Sequence, residues 1–205
     1  MVQVSSKLLS IDEFVARYGD DARYELVDGE LIDMEPTGPH EEVAALLLRK
    51  FNVQIDLLNL PWFTPGRCLI KPLGTATAFR PDVVVLDRAG LAQEPLWQDE
   101  PIITLGTTVK LVAEVVSTNW PNDYARKVED YAALGIQEYW IADYAALGGR
   151  QFIGYPKQPT LSIHTLTEED VYAVSQCRGQ ETIHSPTFPD LKLTAAQVLQ
   201  PGLSS

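Results

Sequence analysis

The apolar positions of this chain change period several times, and each change marks an element. Ser10-Ile11-Asp12-Glu13 has the spacing of a capping box and opens a short helix reaching about Arg17. Tyr24 to Val27 and Glu30 to Met34 alternate on either side of Asp28-Gly29, the strongest local signal for a tight β-hairpin. Pro36 to Pro39 reads as a loop. The spacing then predicts a helix from about His40 to Asn59, with Ala44, Leu48, Phe51 and Ile55 on one face and Glu41 on that same face.

Strands follow near Cys68 to Leu73 and Thr77 to Leu86. Residues 88–108, broken by Pro95, Pro101 and Gly106, read as an irregular excursion with one short helix. Val109 to Val116 is a strand, Asn122 to Leu134 a helix stopped by Gly135, and Glu138 to Ala142 another strand. Beyond Gly148-Gly149 the runs shorten to strands at Gln151 to Tyr155, Leu161 to Leu166 and Val171 to Gln176, with a weak one near Thr182. Thr194 to Gln197 opens a brief terminal helix.

A helix between the Glu114 and Tyr139 strands is long enough to join two parallel strands. The flanking hairpins are antiparallel, so the pattern predicts an α/β fold: a mixed central sheet flanked by helices, with an additional C-terminal antiparallel β-meander. Repeats and clear linkers are lacking. The expectation is a single domain over 1–205, with its core at about 24–143 and the meander at about 150–185.

Composition narrows the class. With 205 residues, 45% hydrophobic and 21% charged, the chain is that of an ordinary globular protein with a sizeable core. Met1 to Ser10 lacks a continuous apolar stretch and no run approaches membrane-spanning length, so the expected compartment is the cytoplasm, without membrane attachment. Cys68 and Cys177 stand far apart without a CxxC spacing, which gives neither a zinc site nor a disulfide framework. Sixteen Lys and Arg face 28 Asp and Glu, a net charge of −12. Binding to nucleic acid draws on phosphate neutralisation, so a surface this acidic opposes it except at a local basic patch or with help from metal ions.

The chemistry sits where charge interrupts apolar strands. Phe79-Arg80-Pro81-Asp82 runs into Val83-Val84-Val85, and Glu114 lies inside Val109 to Val116. Carboxylates so placed must be paired, hydrogen-bonded or metal-bound. Two of them on neighbouring strands are a sufficient protein contribution to a Mg²⁺ site, since that ion keeps several waters and takes substrate oxygens. The plain alternative is that Asp82 caps a turn and Glu114 pairs with a lysine or arginine. Ser117 and Thr118 have no histidine at a motif spacing, and no Gly-rich phosphate loop appears, so serine-hydrolase and nucleotide-cofactor chemistry lack support.

Several motifs occur together and in order: Tyr24-Glu25-Leu26-Val27-Asp28-Gly29-Glu30-Leu31, Arg80-Pro81-Asp82, Glu114-Val115-Val116-Ser117, Asp123-Tyr124-Ala125-Arg126-Lys127, and the run Tyr131 to Asp143. In this the chain resembles the Uma-type family of putative restriction endonucleases, within the PD-(D/E)XK nuclease superfamily, best over Tyr24 to Asp143. The resemblance implies a restriction-endonuclease-like fold and a Mg²⁺- or Mn²⁺-dependent endonuclease acting on nucleic acid, with DNA as the expected substrate. It makes Asp82 and Glu114 the metal ligands, with the Val115 backbone carbonyl a further one. The superfamily's lysine belongs two places after Glu114, where Val116 stands. The resemblance moves that role, orienting or activating the attacking water, to Lys127.

Lys127 shares a helix face with Tyr124 and Tyr131; the alternative is a lysine snorkelling over apolar surface. Glu41 matches the first-helix acidic residue of many such nucleases, and dipole compensation explains it equally well. His40 beside it is a candidate contact for metal or substrate, with a cap or surface residue as the plainer reading, and His164 and His184 show no ligand spacing. Glu25 is expected to be structural or to pair with Arg80 or Lys127. Asn119, Trp120 and Asn122 follow the Glu114 strand, where substrate would approach. A homodimer joined through the meander is a further expectation. The rival to an enzyme is a catalytically inactive nuclease-fold module for binding or assembly.

Overall fold

The computed structural model describes residues 8–34 and 36–202. Most of the Met1 to Ser10 stretch discussed above therefore lies outside the described residues. Helix α1 (Ile11–Tyr18) starts at the foreseen capping box: Ser10 Oγ accepts the Glu13 N–H at 3.1 Å and Glu13 Oε2 accepts the Ser10 N–H at 3.0 Å. Strands β1 (Tyr24–Val27) and β2 (Glu30–Asp33) form the hairpin, with Asp28 at φ 49 and Gly29 at φ 84 in its turn. Two consecutive left-handed residues are what a type I′ hairpin needs, and an Asp-Gly pair supplies them at least cost.

Helix α2 (Gly38–Leu57) begins inside the expected Pro36–Pro39 loop, with Pro39 in its first turn where the missing N–H is harmless. Its buried face is His40, Val43, Leu47, Phe51 and Ile55: Phe51 and Ile55 are where the expected stripe put them, while its N-terminal half is one residue earlier than expected. Short strands β3 (Trp62–Phe63) and β4 (Leu69–Ile70) follow, then β5 (Val83–Asp87), β6 (Ile102–Ile103) and β7 (Val109–Val115). The expected strand Thr77 to Leu86 is broken at Pro81, which has no N–H to give a ladder. Upstream of that break Ala78 bridges to Leu26 and Phe79 to Ile70; downstream, β5 takes over. The 88–108 excursion, expected to be irregular, contains β6, which pairs parallel with β4.

One turn of π-helix at Asn122–Arg126 leads into α3 (Lys127–Leu134), which ends at Gly135 with φ 80. Strand β8 (Glu138–Asp143) comes next. Gln151 to Tyr155, expected as a strand, instead lies mostly in the short helix α4 (Arg150–Ile153), bracketed by Gly149 and Gly154. Strands β9 (Thr160–Leu166) and β10 (Tyr172–Cys177) and helix α5 (Ala195–Leu199) complete the order.

The main sheet is mixed, in the order β10-β9-β8-β7-β5-β3. Only β7 and β8 are parallel, joined by the α3 crossover, and their neighbours are antiparallel. The C-terminal strands β9 and β10 thus extend the central sheet itself. Alternation along β7 sorts two cores. Leu111, Ala113 and Val115 pack with Val43, Leu47 and Phe51 of α2; Val112 and Val116 pack with Tyr131 of α3. Glu114 shares the parity of Val112 and Val116, so its side chain enters the α3 side of the sheet, deep among apolar groups. No helix among the described residues is long and apolar enough to cross a membrane.

Candidate active site

The Pro81 break decides where Asp82 goes. Strand β5 stops at Val83, which leaves the next N–H of β7 without a backbone partner from that side. The Asp82 carboxylate fills the gap: Oδ2 accepts the Val115 N–H at 2.7 Å. In return the Asp82 N–H points at Glu114 Oε2, 3.4 Å away. Two strand ends are thereby interlocked through both carboxylates. Their exposure differs sharply: the Asp82 side chain is 24% accessible and Glu114 only 2%.

Glu114 belongs to a buried ionic cluster. Lys127 Nζ lies 3.0 Å from Glu114 Oε1, 3.0 Å from Glu25 Oε1 and 3.3 Å from Asp123 Oδ1. Tyr131 donates its hydroxyl to Glu114 Oε1 at 3.1 Å. Lys127 is fully buried, so the snorkelling alternative does not hold. The π-turn matters here: it inserts an extra residue before α3, and Asp123 and Lys127 both project into the cluster. Tyr139 adds a hydroxyl to the Asp123 backbone carbonyl at 3.0 Å, fixing that turn against β8.

Glu25 reaches the cluster from the hairpin. β1 docks on Ala78 through paired Leu26–Ala78 backbone bonds of 3.0 and 2.8 Å, and Glu25 Oε1 accepts the Arg80 N–H at 3.0 Å. Of its expected pairings, the ion pair is with Lys127, while Arg80 contributes its backbone N–H. The second Glu25 oxygen, Oε2, is buried without a hydrogen-bond partner among the described residues.

Three carboxylates around one lysine are too many negative charges for an apolar interior. Burial raises the Glu114 pKa well above the ordinary range, Lys127 opposes that, and Asp82, Glu25 and Asp123 add to it. Burial pushes the Asp123 carboxyl up to about 7, against the pull of Lys127. For Lys127, burial alone favours the neutral amine, yet Glu114, Glu25 and Asp123 more than reverse this and hold the ammonium well above its usual pKa.

His40 is 5% exposed and faces the site from α2, so of its two readings the surface residue does not hold. Its Nε2 lies 3.3 Å from Asp82 Oδ2. Burial lowers its pKa, but Asp82 and Glu41 outweigh that and raise it overall. Glu41 points the other way: its side chain is 64% exposed and 3.9 Å from His40 Nδ1. The expected inward glutamate is corrected by the phase of α2, which turns His40 to the sheet and Glu41 to the solvent. The signal for His40 was its place beside Glu41 in the first turn; the run Val43 to Leu48, apolar on every side, hid which face is buried.

Asp82 and Glu41 open into a cleft of about 330 Å³ between α2 and the first hairpin. Asn119 and Trp120 lie apart from that cleft's walls. Trp120 packs edge-on against Tyr124 and Phe152, and Asn119 Nδ2 meets Met34 Sδ at 4.0 Å. His164 is a buried core histidine beside Tyr139 and Tyr172, its pKa lowered to about 4 by burial. Among the described residues no three His, Cys, Asp or Glu side chains form a metal cage on their own. A cation at Asp82 and Glu114 would therefore be completed by backbone, water or substrate oxygens.

Over residues 11–196 the sequence matches the model of a family, Uma2, described as "Putative restriction endonuclease". Among solved structures it is similar to a putative nuclease belonging to DUF820 from Anabaena variabilis. That likeness has a TM-score of 0.68 at 15% identity and covers 93% of this chain and 97% of the other; at such identity it is a likeness of fold. No curated protein matches the sequence.

Proposed function

The chain belongs to the Uma2 family of putative restriction endonucleases, and on that premise we propose that it hydrolyses phosphodiester bonds of DNA with a divalent cation, Mg²⁺ or Mn²⁺, at Asp82 and Glu114. The observation that carries this is the meeting of Asp82, Glu114 and Lys127, from three separate elements, at one end of the sheet. The donor set suits a hard cation. Both ligands are carboxylates, and Asp82 and Glu114 repel each other strongly enough to add to the raised Glu114 pKa. A divalent ion between them would relieve that repulsion. The Val115 carbonyl stands at the same strand end as a third oxygen. When bound, the ion supplies an acidified water and offsets charge on a phosphoryl oxygen.

The chain's own residues divide the remaining work. Asp82 binds from the solvent side. Glu114 offers Oε2 toward Asp82 while Lys127 and Tyr131 hold Oε1. Lys127 is a positioning residue in this scheme: it is wholly buried and stays protonated, so it orients Glu114 and balances its charge rather than touching the attacking water. His40 holds Asp82 in place at 3.3 Å. Glu41, at the exposed rim, acts through intervening water.

The test is cleavage of plasmid and oligonucleotide DNA with Mg²⁺ and with Mn²⁺. Wild type is expected to cut and Asp82→Ala not to. Equal behaviour of the two proteins across both metals leaves a nuclease-fold binding module, the reading that the net charge of −12 favours.

A further inference from the structure

A protein with 28 acidic and 16 basic residues has to concentrate positive charge somewhere if it is to hold a polyanion. The cleft beside Asp82 is where this happens. Among the described residues that line it, Arg23, Arg67 and Arg80 stand with two carboxylates, Asp82 and Glu41. The three arginines come from different parts of the chain: the start of the first hairpin, the loop between β3 and β4, and the segment before Pro81. Arg67 and Arg80 lie close enough to repel one another. Like charges brought together at a cleft wall are costly without an anion to share them.

The anchoring of each guanidinium suits exchange. Arg80 is fixed, with Nη2 donating to the Gly19 carbonyl at 3.1 Å and Nε to the Tyr24 carbonyl at 3.4 Å, both neutral acceptors, and the favourable pull of Glu25 and Asp21 does not outweigh burial and the neighbouring Arg67. Arg67 and Arg23 are 45% and 47% exposed, and their carboxylate partners are surface residues: Asp20, 94% exposed at 2.8 Å, and Asp21, 42% exposed at 3.5 Å. Ion pairs this exposed are weak and salt-screened, so a phosphate can replace them readily.

We propose that Arg23, Arg67 and Arg80 form a phosphate track that seats the sugar–phosphate backbone of a DNA strand in this cleft and leads it to Asp82. The track rests on the nuclease reading above and specifies how an acidic chain holds its substrate. Arginine suits the task because its planar fork binds phosphate oxygens in pairs.

The experiment measures binding of fluorescein-labelled single-stranded and duplex DNA by anisotropy, with Asp82→Asn as the common, non-cleaving background. Adding Arg67→Ala or Arg23→Ala is expected to weaken binding several-fold and to lower the slope of log K against log salt by roughly one each. Arg67→Lys is expected to recover most of the slope. Lys192→Ala, on an exposed residue outside this cleft, changes net charge by the same amount and controls for bulk electrostatics. Equal losses for Lys192→Ala and Arg67→Ala, or no loss at Arg23 and Arg67 while wild type still cleaves DNA, overturn the track and leave the nuclease reading intact. Absence of both binding and cleavage in wild type overturns the nuclease reading itself.

Discussion

Two groups of charges stand within one hydrogen bond of each other at the same end of the sheet, and they obey different rules. The inner group, Glu25, Glu114, Asp123 and Lys127, is buried, and its members are held by one another. The outer group, Asp82, His40, Glu41 and the three arginines, faces or borders a cleft. Inside, low dielectric makes every charge depend on its partner, so removing one strands the rest. Outside, apart from the buried His40, partners are shared with water and can be exchanged for a cation or a phosphate. The inner group is therefore expected to carry stability and alignment, and the outer group turnover and binding.

The largest effect should come from breaking the inner group. Lys127→Met leaves three buried carboxylates without a counter-charge, a change of the kind that costs about 3–5 kcal/mol. Urea unfolding is expected to show that loss or a failure to fold, and adding Glu114→Gln should restore part of it. A Lys127→Met protein as stable as wild type would show that the cluster is not held by its ion pairs.

Next in size is a change in the outer group. Asp82→Asn should lower DNA cleavage by about 10²-fold or more, since losing a metal ligand removes several kcal/mol of transition-state stabilisation. Its effect on unfolding should be only about 1 kcal/mol, the worth of one hydrogen bond to the Val115 N–H. Large losses of both would erase the contrast between the groups.

The third prediction concerns pH. The Asp123 carboxyl sits at about 7 in the folded protein against 3.8 for an ordinary aspartate. The folded state thus keeps a proton that the unfolded state releases. The stability that this proton brings is complete below about pH 4 and is lost as pH rises through about 7. Asp123→Asn should flatten that part of the stability-versus-pH curve in urea titrations, and an unchanged slope would place the titration elsewhere. The smallest effect is expected of Glu41→Gln, an exposed change worth no more than about 0.5 kcal/mol, or about twofold in kcat/KM.

The sequence made the sheet side of this site legible and concealed much of the helix side. Asp82 and Glu114 announce themselves because a carboxylate in a valine-rich strand has few reasons to be there, and Glu25 does so for the same reason in its hairpin. The parallel β7–α3–β8 unit follows from a helix of crossover length between two apolar runs. His40 was hidden because the phase of α2 is set by docking on the sheet, and Val43 to Leu48 would suit several phases. Asp123 stands four residues before Lys127, a spacing that puts both on one helix face, so this pairing was open to a reading of the sequence. The arginine cleft joins residues remote in sequence, which the net charge alone argues against.

The most direct measurement is calorimetric titration of Mn²⁺ into wild type, Asp82→Asn and Glu114→Gln, each checked for a native circular dichroism spectrum. The account predicts binding to wild type that is lost or weakened at least about tenfold in both folded variants, since each removes one charged ligand. Equal Mn²⁺ binding by all three, or none by folded wild type, would contradict it.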